Sequence, residues 1–265
     1  MIQSYLSKGS ESRETLLASQ KDHTIAAASI TSPQKKINED RFLYGVFPNG
    51  EIVIAVADGV GASRCPELAA TTALEQLYKS IKDGPVDEGA IIRGIDRANV
   101  EIQSLLPGSA TTLTVVLISN GKYRYYSVGD SPAMLVGGHG KIKSLSKGHS
   151  AYDHFRESGV LLPPGVGKDV LKSELVSCLG SKDFVLEVGM SLPLNPKDSI
   201  VVCSDGFFDN IQLEHINPLY YRNRKFEKHD IIRIEKLYIK GMEKEDGHVD
   251  DATFISLRMI DVKTK

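Results

Sequence analysis

The chain has 265 residues, three cysteines and a formal charge of -2, long enough to bury a substantial core without disulfides or a structural metal. The near-balance of charge excludes a global field for nucleic acid or an anionic membrane, and neither is expected as a partner. Cys65, Cys178 and Cys203 are scattered and form no CxxC pair, which excludes a disulfide framework and a thiolate zinc site. Reduced thiols, a first segment without the apolar core of a signal peptide and the lack of any stretch of transmembrane length point to a cytoplasmic protein.

Residues 1–24 are polar and unpatterned and read as an N-terminal arm, either disordered or a loosely attached first strand. A single domain is expected over 25–265. It opens with short apolar runs at Ile25–Ile30, Phe42–Phe47, Ile52–Ala57, Thr111–Ile118, Tyr123–Val128 and Ala133–Val136, whose β-branched and aromatic content favours strands. Turn residues at Pro48-Asn49-Gly50, Asn120-Gly121 and Gly137 to Gly140 predict antiparallel hairpins and a meander. Two stretches break this pattern with apolar residues at helical spacing, Pro66–Lys82 and Asp87–Leu106, each able to lay an apolar stripe on a sheet. From 147 to 170 the text is weakly periodic and rich in Gly and Pro, as in an exposed flap. Strands are then expected at Leu175–Cys178, Phe184–Val188, Ser199–Cys203 and Ala252–Met259, with a helix over about 230–244.

Aspartates recur at the ends of these runs, beside glycine or another acid: Asp58-Gly59, Gly129-Asp130, Asp205-Gly206 and Asp250-Asp251, with Glu39-Asp40 directly before a strand. One Asp-Gly is an ordinary turn. Several carboxylates converging on one sheet rim would repel and resist desolvation unless a cation compensated them. Hard divalent ions such as Mg²⁺ and Mn²⁺ suit sites built from a few carboxylates and a main-chain carbonyl.

Six segments, NEDRF at 38–42, VADGVGAS at 56–63, GSATTLTVVLI at 108–118, YYSVGDSPAML at 125–135, VVCSDGFFDNI at 201–211 and VDDATFISL at 249–257, stand in the order seen in type 2C, metal-dependent protein phosphatases, and the chain resembles the bacterial members. The resemblance covers about Ile25 to Met259. It implies an α+β fold, a central antiparallel β-sandwich of two sheets flanked by α-helices, with a two-metal site at one end. It implies hydrolysis of phosphoserine and phosphothreonine on proteins, a phosphorylated protein as substrate, an opposing kinase and a monomeric enzyme. By the same resemblance Asp58 bridges two Mn²⁺ or Mg²⁺ ions, with the Gly59 carbonyl as a further ligand. Asp205 and Asp250 complete the first ion's shell; Glu39 and Asp40 serve the second, directly or through water. Asp130 matches the aspartate that, with Asp205, holds a weaker third ion in many members. Thr111, Thr112 and Ser131 are expected to fix loops, and Asp209 and Asn210 to serve a helix start or a loop.

Paired ions about 3.5–4 Å apart can ready a shared water for attack on phosphorus, so no covalent phosphoenzyme is required. Cys203, within an apolar run, is then a buried structural thiol. Two positions depart from the family pattern. The usual phosphate-binding arginine is Lys35 here, a point charge without the planar fork of a guanidinium. The histidine that many members place after Asp-Gly is Val60. His149 reads as a surface histidine of the flap. The alternatives carried forward are a catalytically weak relative acting as a phosphoprotein-binding module, and a metal hydrolase of another class.

Overall fold

The apolar runs are too continuous for strands with one wet face, and the architecture explains why. The computed structural model describes residues 3–9, 12–159, 167–172, 174–211, 224–244 and 247–261. In chain order the elements are β1 (Gln3–Leu6), β2 (Arg13–Ser19), β3 (His23–Ile30), β4 (Arg41–Val46), β5 (Ile52–Ala57), α1 (Pro66–Ile81), α2 (Glu88–Leu105), β6 (Leu113–Ser119), β7 (Lys122–Val128), β8 (Ala133–Val136), β9 (Ile142–Leu145), α3 (Ala151–Ser158), α4 (Lys168–Lys172), β10 (Glu187–Val188), β11 (Leu192–Pro193), β12 (Ser199–Cys203), α5 (Asp205–Phe208), a helix here numbered α6 (Lys228–Met242) and β13 (Ala252–Met259). They form a seven-stranded sheet ordered β1-β4-β5-β6-β7-β10, with β11 also on β7, and a six-stranded sheet ordered β2-β3-β13-β12-β8-β9. Every pairing is antiparallel.

The two sheets face each other through Phe42, Tyr44, Ile54, Val56 and Val116 on one side and Ile25, Leu135, Ile200, Val202 and Ile255 on the other. The alternate residues of the same strands bury outward. Leu43, Val53, Ala55 and Val115 pack against Leu74 and Leu77 of α1 and Ile91 and Ile95 of α2. On the opposite side Ala26, Ala28, Val201 and Phe254 pack against Ile231, Ile234 and Tyr238 of α6. The result is four layers, helix-sheet-sheet-helix, in which a central strand such as β5 is buried at all six positions. The α+β sandwich implied by the family resemblance is the fold observed.

Local chemistry supports the elements. Asn120 and Gly121 both take positive φ, 52° and 69°, which gives β6 and β7 the two-residue turn whose twist matches the strands. Asp87 caps α2 by accepting from the Ala90 amide at 2.8 Å, and α1 starts on Pro66, whose missing N–H costs nothing there.

Of three segments to compare with the sequence expectation, the first takes its strand alternative and the other two differ. The polar first 24 residues contain β1 and β2, which form an edge of each sheet; β2 alternates between exposed and partly buried positions because only one of its faces meets the core. The flap segment, of which 160–166 lie outside the described residues, includes α3, capped by the Ser150 side chain accepting from Asp153 N at 3.1 Å. No residue of α3 is buried, and a helix this short offers no repeating apolar period to read. Leu175–Cys178 is not a strand; the backbone there makes only isolated bridges, Ser150 to Leu175 and Thr111 to Leu179. Among the described residues no helix is long and apolar enough to cross a membrane.

Candidate metal centre

Antiparallel register gathers the acids at one end of the sandwich. Arg41 pairs with Ala57, so Asp40, just before β4, stands beside Asp58, just after β5. Cys203 pairs with Phe254, which brings Asp205, two residues beyond β12, toward Asp250 and Asp251 before β13. Asp130 follows the end of β7 at the same rim.

Backbone and hydroxyl bonds fix each position. The Asp58 amide donates to Thr112 Oγ1 at 3.1 Å, and its carbonyl accepts from Thr111 Oγ1 at 2.8 Å and from Thr112 N at 2.8 Å. Thr112 Oγ1 bonds in turn to Ser131 Oγ at 2.8 Å, which ties the Asp58 turn to the Asp130 loop. A Cβ at Gly59 would sit 2.6 Å from the Pro66 carbonyl, so only glycine lets the chain run this close to α1 beside Asp58. Asn38 braces Asp40 by accepting its amide at 2.9 Å, while its own Nδ2 donates to Ser29 Oγ at 2.9 Å. Tyr238 of α6 donates to the Asp250 carbonyl at 2.8 Å. Asn210 holds His248 in place by accepting its amide at 2.9 Å. Asp209 sits at the C-terminal end of α5, where Lys172 Nζ reaches its carboxylate at 3.0 Å.

The electrostatics is that of carboxylates left in want of a cation. Asp40 is 1% exposed, and neither carboxylate oxygen has a hydrogen-bond partner among the described residues. The nearest hydroxyls, Ser204 Oγ, which accepts from Thr253 N at 2.9 Å, and Thr253 Oγ1, which bonds Ser29 Oγ at 2.7 Å, favour the ionised carboxylate but are outweighed. Burial, then the charge of Asp251, pushes Asp40 up to about 7. Burial followed by the charges of Asp40, Asp205, Asp250 and Asp130 raises Asp58 well above the carboxylate range. Asp130 is raised by burial and Asp205, and Asp205 by burial and Asp250, against an opposing pull from His248. Four acids, Asp40, Asp58, Asp130 and Asp205, that burial and neighbouring carboxylates hold back from ionising form a site that a multivalent cation would relieve.

Three residues stand differently from the sequence reading. Lys35 points into the acids: its Nζ lies 2.6 Å from Glu39 Oε2, contacts Asp250 Oδ1 and is 3.5 Å from Asp251 Oδ2. Burial would lower its pKa, but the bonds to Asp250 and Glu39 outweigh that and keep the ammonium charged. His149 is half-buried rather than a surface residue of the flap; its Nδ1 accepts from Gly129 N at 3.1 Å and its amide donates to Gly129 O at 3.1 Å. Burial lowers its pKa, which favours the neutral ring able to accept that bond, and it so braces the loop of Asp130. Asp251, named in the sequence only as the neighbour of Asp250, has a role of its own: its two oxygens accept from Ser32 N at 2.7 Å and Glu39 N at 2.8 Å. It fastens the loop carrying Lys35 and Glu39 to the start of β13. Glu39, Asp250 and Asp251 each offer an oxygen within 4.8 Å of the others. Cys203 is fully buried at the end of β12, and burial raises its thiol well above the ordinary value, consistent with a structural role.

Residues 32–232 match the family model described as protein phosphatase 2C. The chain belongs to the protein phosphatase 2C family. Within it, the serine/threonine phosphatase Stp of Listeria monocytogenes is 25% identical over 209 residues, covering 73% of this chain and 82% of that protein. The serine/threonine phosphatase of S. agalactiae superposes with a TM-score of 0.75 at 19% identity, over 90% of this chain and 100% of the other. The catalytic domain of the phosphatase PstP, solved with two manganese ions, gives a TM-score of 0.70 at 20% identity, over 91% and 99%. This 2C-family chain thus spans most of the length of the proteins it resembles.

Proposed function

We propose that this protein hydrolyses phosphoserine and phosphothreonine esters on other proteins in a reaction that requires divalent metal, Mn²⁺ or Mg²⁺. The observation that carries the reading is Asp40: a fully buried carboxylate whose two oxygens have no hydrogen-bond partner among the described residues and which faces the charges of Asp251, Asp250 and Asp58, in a chain of the 2C family. Buried polar groups are satisfied in stable proteins, and an oxygen-only donor set of this charge suits hard divalent ions. Asp58, Asp205 and Asp250 would hold one ion, and Asp58 with the Gly59 carbonyl, Glu39 and Asp40 a second; Asp130 with Asp205 would hold a weaker third. Bound there, such ions supply Lewis acidity that activates water and offsets charge on phosphoryl oxygens.

The chain's own residues do the positioning. Thr111 and Thr112 fix the Asp58 carbonyl and amide, so its carboxylate is presented without a rotating main chain. Asp251 sets Glu39 and Lys35 against the rim. Lys35 brings positive charge for the substrate phosphate, as a point charge rather than a bidentate clamp. Val60 offers no proton to the leaving oxygen, and water at this open rim would serve. The partners under this reading are phosphorylated proteins and the kinase that makes them, and three unpaired thiols suit a reducing cytoplasm.

The test is an assay on phosphoserine, phosphothreonine, phosphotyrosine and nucleotide substrates with Mn²⁺, with Mg²⁺ and with a chelator. Turnover of the first two that the chelator abolishes is expected. Metal-saturated protein without turnover would favour a binding module, and preference for nucleotides a hydrolase of another class.

A further inference from the structure

The three carboxylates that approach closely enough to share an ion, Glu39, Asp250 and Asp251, are the same three that surround Lys35 Nζ. We propose that Lys35 is a built-in rival of the metal: its ammonium fills this acidic cluster in the metal-free protein and must withdraw as an ion loads, so that loading releases the lysine toward the substrate phosphate. The inference rests on the reading that these acids serve metal, and it goes beyond it by giving one side chain two successive partners.

The geometry makes the two occupants exclusive. Lys35 bonds Glu39 Oε2 and contacts Asp250 Oδ1, oxygens on two of the residues assigned to the ions. An ammonium cannot donate to oxygens that a divalent ion draws into its own shell, and it is repelled by the ion's charge. Asp251 behaves differently. Both its oxygens are held by backbone amides, so it stays in place as a fixed charge whichever cation is present. Two other basic groups stand near: His248 Nε2 is 4.0 Å from Asp250 Oδ2, outside hydrogen-bond reach, and Arg41 acts on Asp251 through charge while its guanidinium is bonded to Thr71 Oγ1 and the carbonyls of Asn38 and Asp40.

The lysine also has somewhere to go. It sits on the connection between β3 and β4, its side chain is 24% exposed, and it lines a cavity of about 460 Å³ together with Ser12, Thr31, Ser32, Lys36 and Asn38. A four-carbon stem with rotatable bonds can swing the charge from the cluster to this cavity without backbone movement. The backbone meanwhile stays tethered by Asp251, so the withdrawn ammonium remains at the mouth of the site.

The decisive measurement is the Mn²⁺ dissociation constant, by calorimetric titration, of the wild-type protein and of Lys35→Gln and Lys35→Met. Rivalry predicts tighter Mn²⁺ binding in both variants, by about tenfold, the scale of losing one charge-assisted hydrogen bond from the competitor. It also predicts a lower Tm for the metal-free variants and a wider gap between their metal-free and Mn²⁺-loaded Tm values. A lysine that only braces the loop gives the opposite sign, since its loss would disorder Glu39 and weaken Mn²⁺ binding; unchanged or weaker binding overturns the proposal. If a variant does not fold without metal, the comparison is made from the loaded side by chelator titration, with the same expected sign. A wild-type protein that takes up no Mn²⁺ at all would instead sink the underlying metal reading, a result distinct from failure of the rivalry.

Discussion

The two ends of strand β12 carry carboxylates in opposite circumstances. At its start Asp198, 2% exposed, is fully provided for: Lys143 Nζ lies 2.7 and 2.9 Å from its oxygens, and Asn195 donates from its amide at 3.0 Å and from Nδ2 at 3.3 Å. At the far end Asp205 looks onto Asp58 and Asp250, close to Asp40, whose carboxylate has no hydrogen-bond partner among the described residues, and Asp40, Asp58 and Asp205 are pushed up by burial and by other acids. The same strand and sandwich thus hold one acid satisfied by protein donors and a group that is not. Under the proposed function the difference separates structural acids from metal-binding ones: where the chain supplies the donors, the carboxylate serves the fold, and where it withholds them, a cation would supply the compensation.

The largest expected effect tests that contrast directly. Asp58→Asn and Asp205→Asn should each lower kcat by at least ~10²-fold, on the scale of losing a principal source of transition-state stabilisation. Asp198→Asn should leave kcat nearly unchanged yet cost about 1–3 kcal/mol of stability through loss of its charged partner, visible as a Tm lower by a few degrees. If Asp198→Asn silences turnover, or either rim variant retains it, the division between the two ends is wrong.

A smaller effect is expected at Asp251, which sits at the rim but is satisfied by two amides. In Asp251→Asn one amide would face an NH₂ group instead of an oxygen, releasing the loop of Glu39 and Lys35. Mn²⁺ affinity should fall by about 10- to 100-fold, as for groups that orient metal ligands. Wild-type affinity in this variant would make Asp251 an acid of the Asp198 kind.

The smallest effect is one of pH. Asp40 rises from an ordinary 3.8 to about 7 in the folded protein, so between those values the folded state binds the proton that the unfolded chain has released. Stability of the metal-free protein therefore declines as pH climbs from 4 to 7. Asp40→Asn, which cannot ionise, should flatten that slope when denaturation midpoints are compared across the range, and Mn²⁺ should flatten it in the wild type. A metal-free wild type that gains no less stability than Asp40→Asn over this interval would count against a withheld donor at Asp40.

Much of this was written in the sequence for a physical reason. Strands buried on both faces, such as Ile52–Ala57 and Ser199–Cys203, appear as unbroken apolar runs, and an acid where such a run stops is conspicuous. What stayed hidden lacked that contrast. β2 shows the core only one face, and α3 buries nothing, although Ser150, Asp153 and Gly159 spell a capped start and a left-handed stop. Asp251 was masked by its neighbour: two adjacent acids at a strand's start point different ways, and only coordinates reveal that Asp251 turns toward backbone amides. His149 and Lys35 were legible as residue types, but their distant partners, Gly129 for His149 and Asp250 and Asp251 for Lys35, were not.

The position of β13 has a consequence for how the molecule comes into being. The last described strand, β13, lies between β3 and β12, joining Ala252–Met259 to His23–Ile30, and Asp250 and Asp251 immediately precede it. During synthesis β4, β5, β6 and β7 can zip in succession as they emerge, while β3 must wait with an unsatisfied flank until some 220 further residues have been made. Chains interrupted before that point own half a sandwich and no complete rim, so catalytic competence arrives all at once, with the closing of the second sheet.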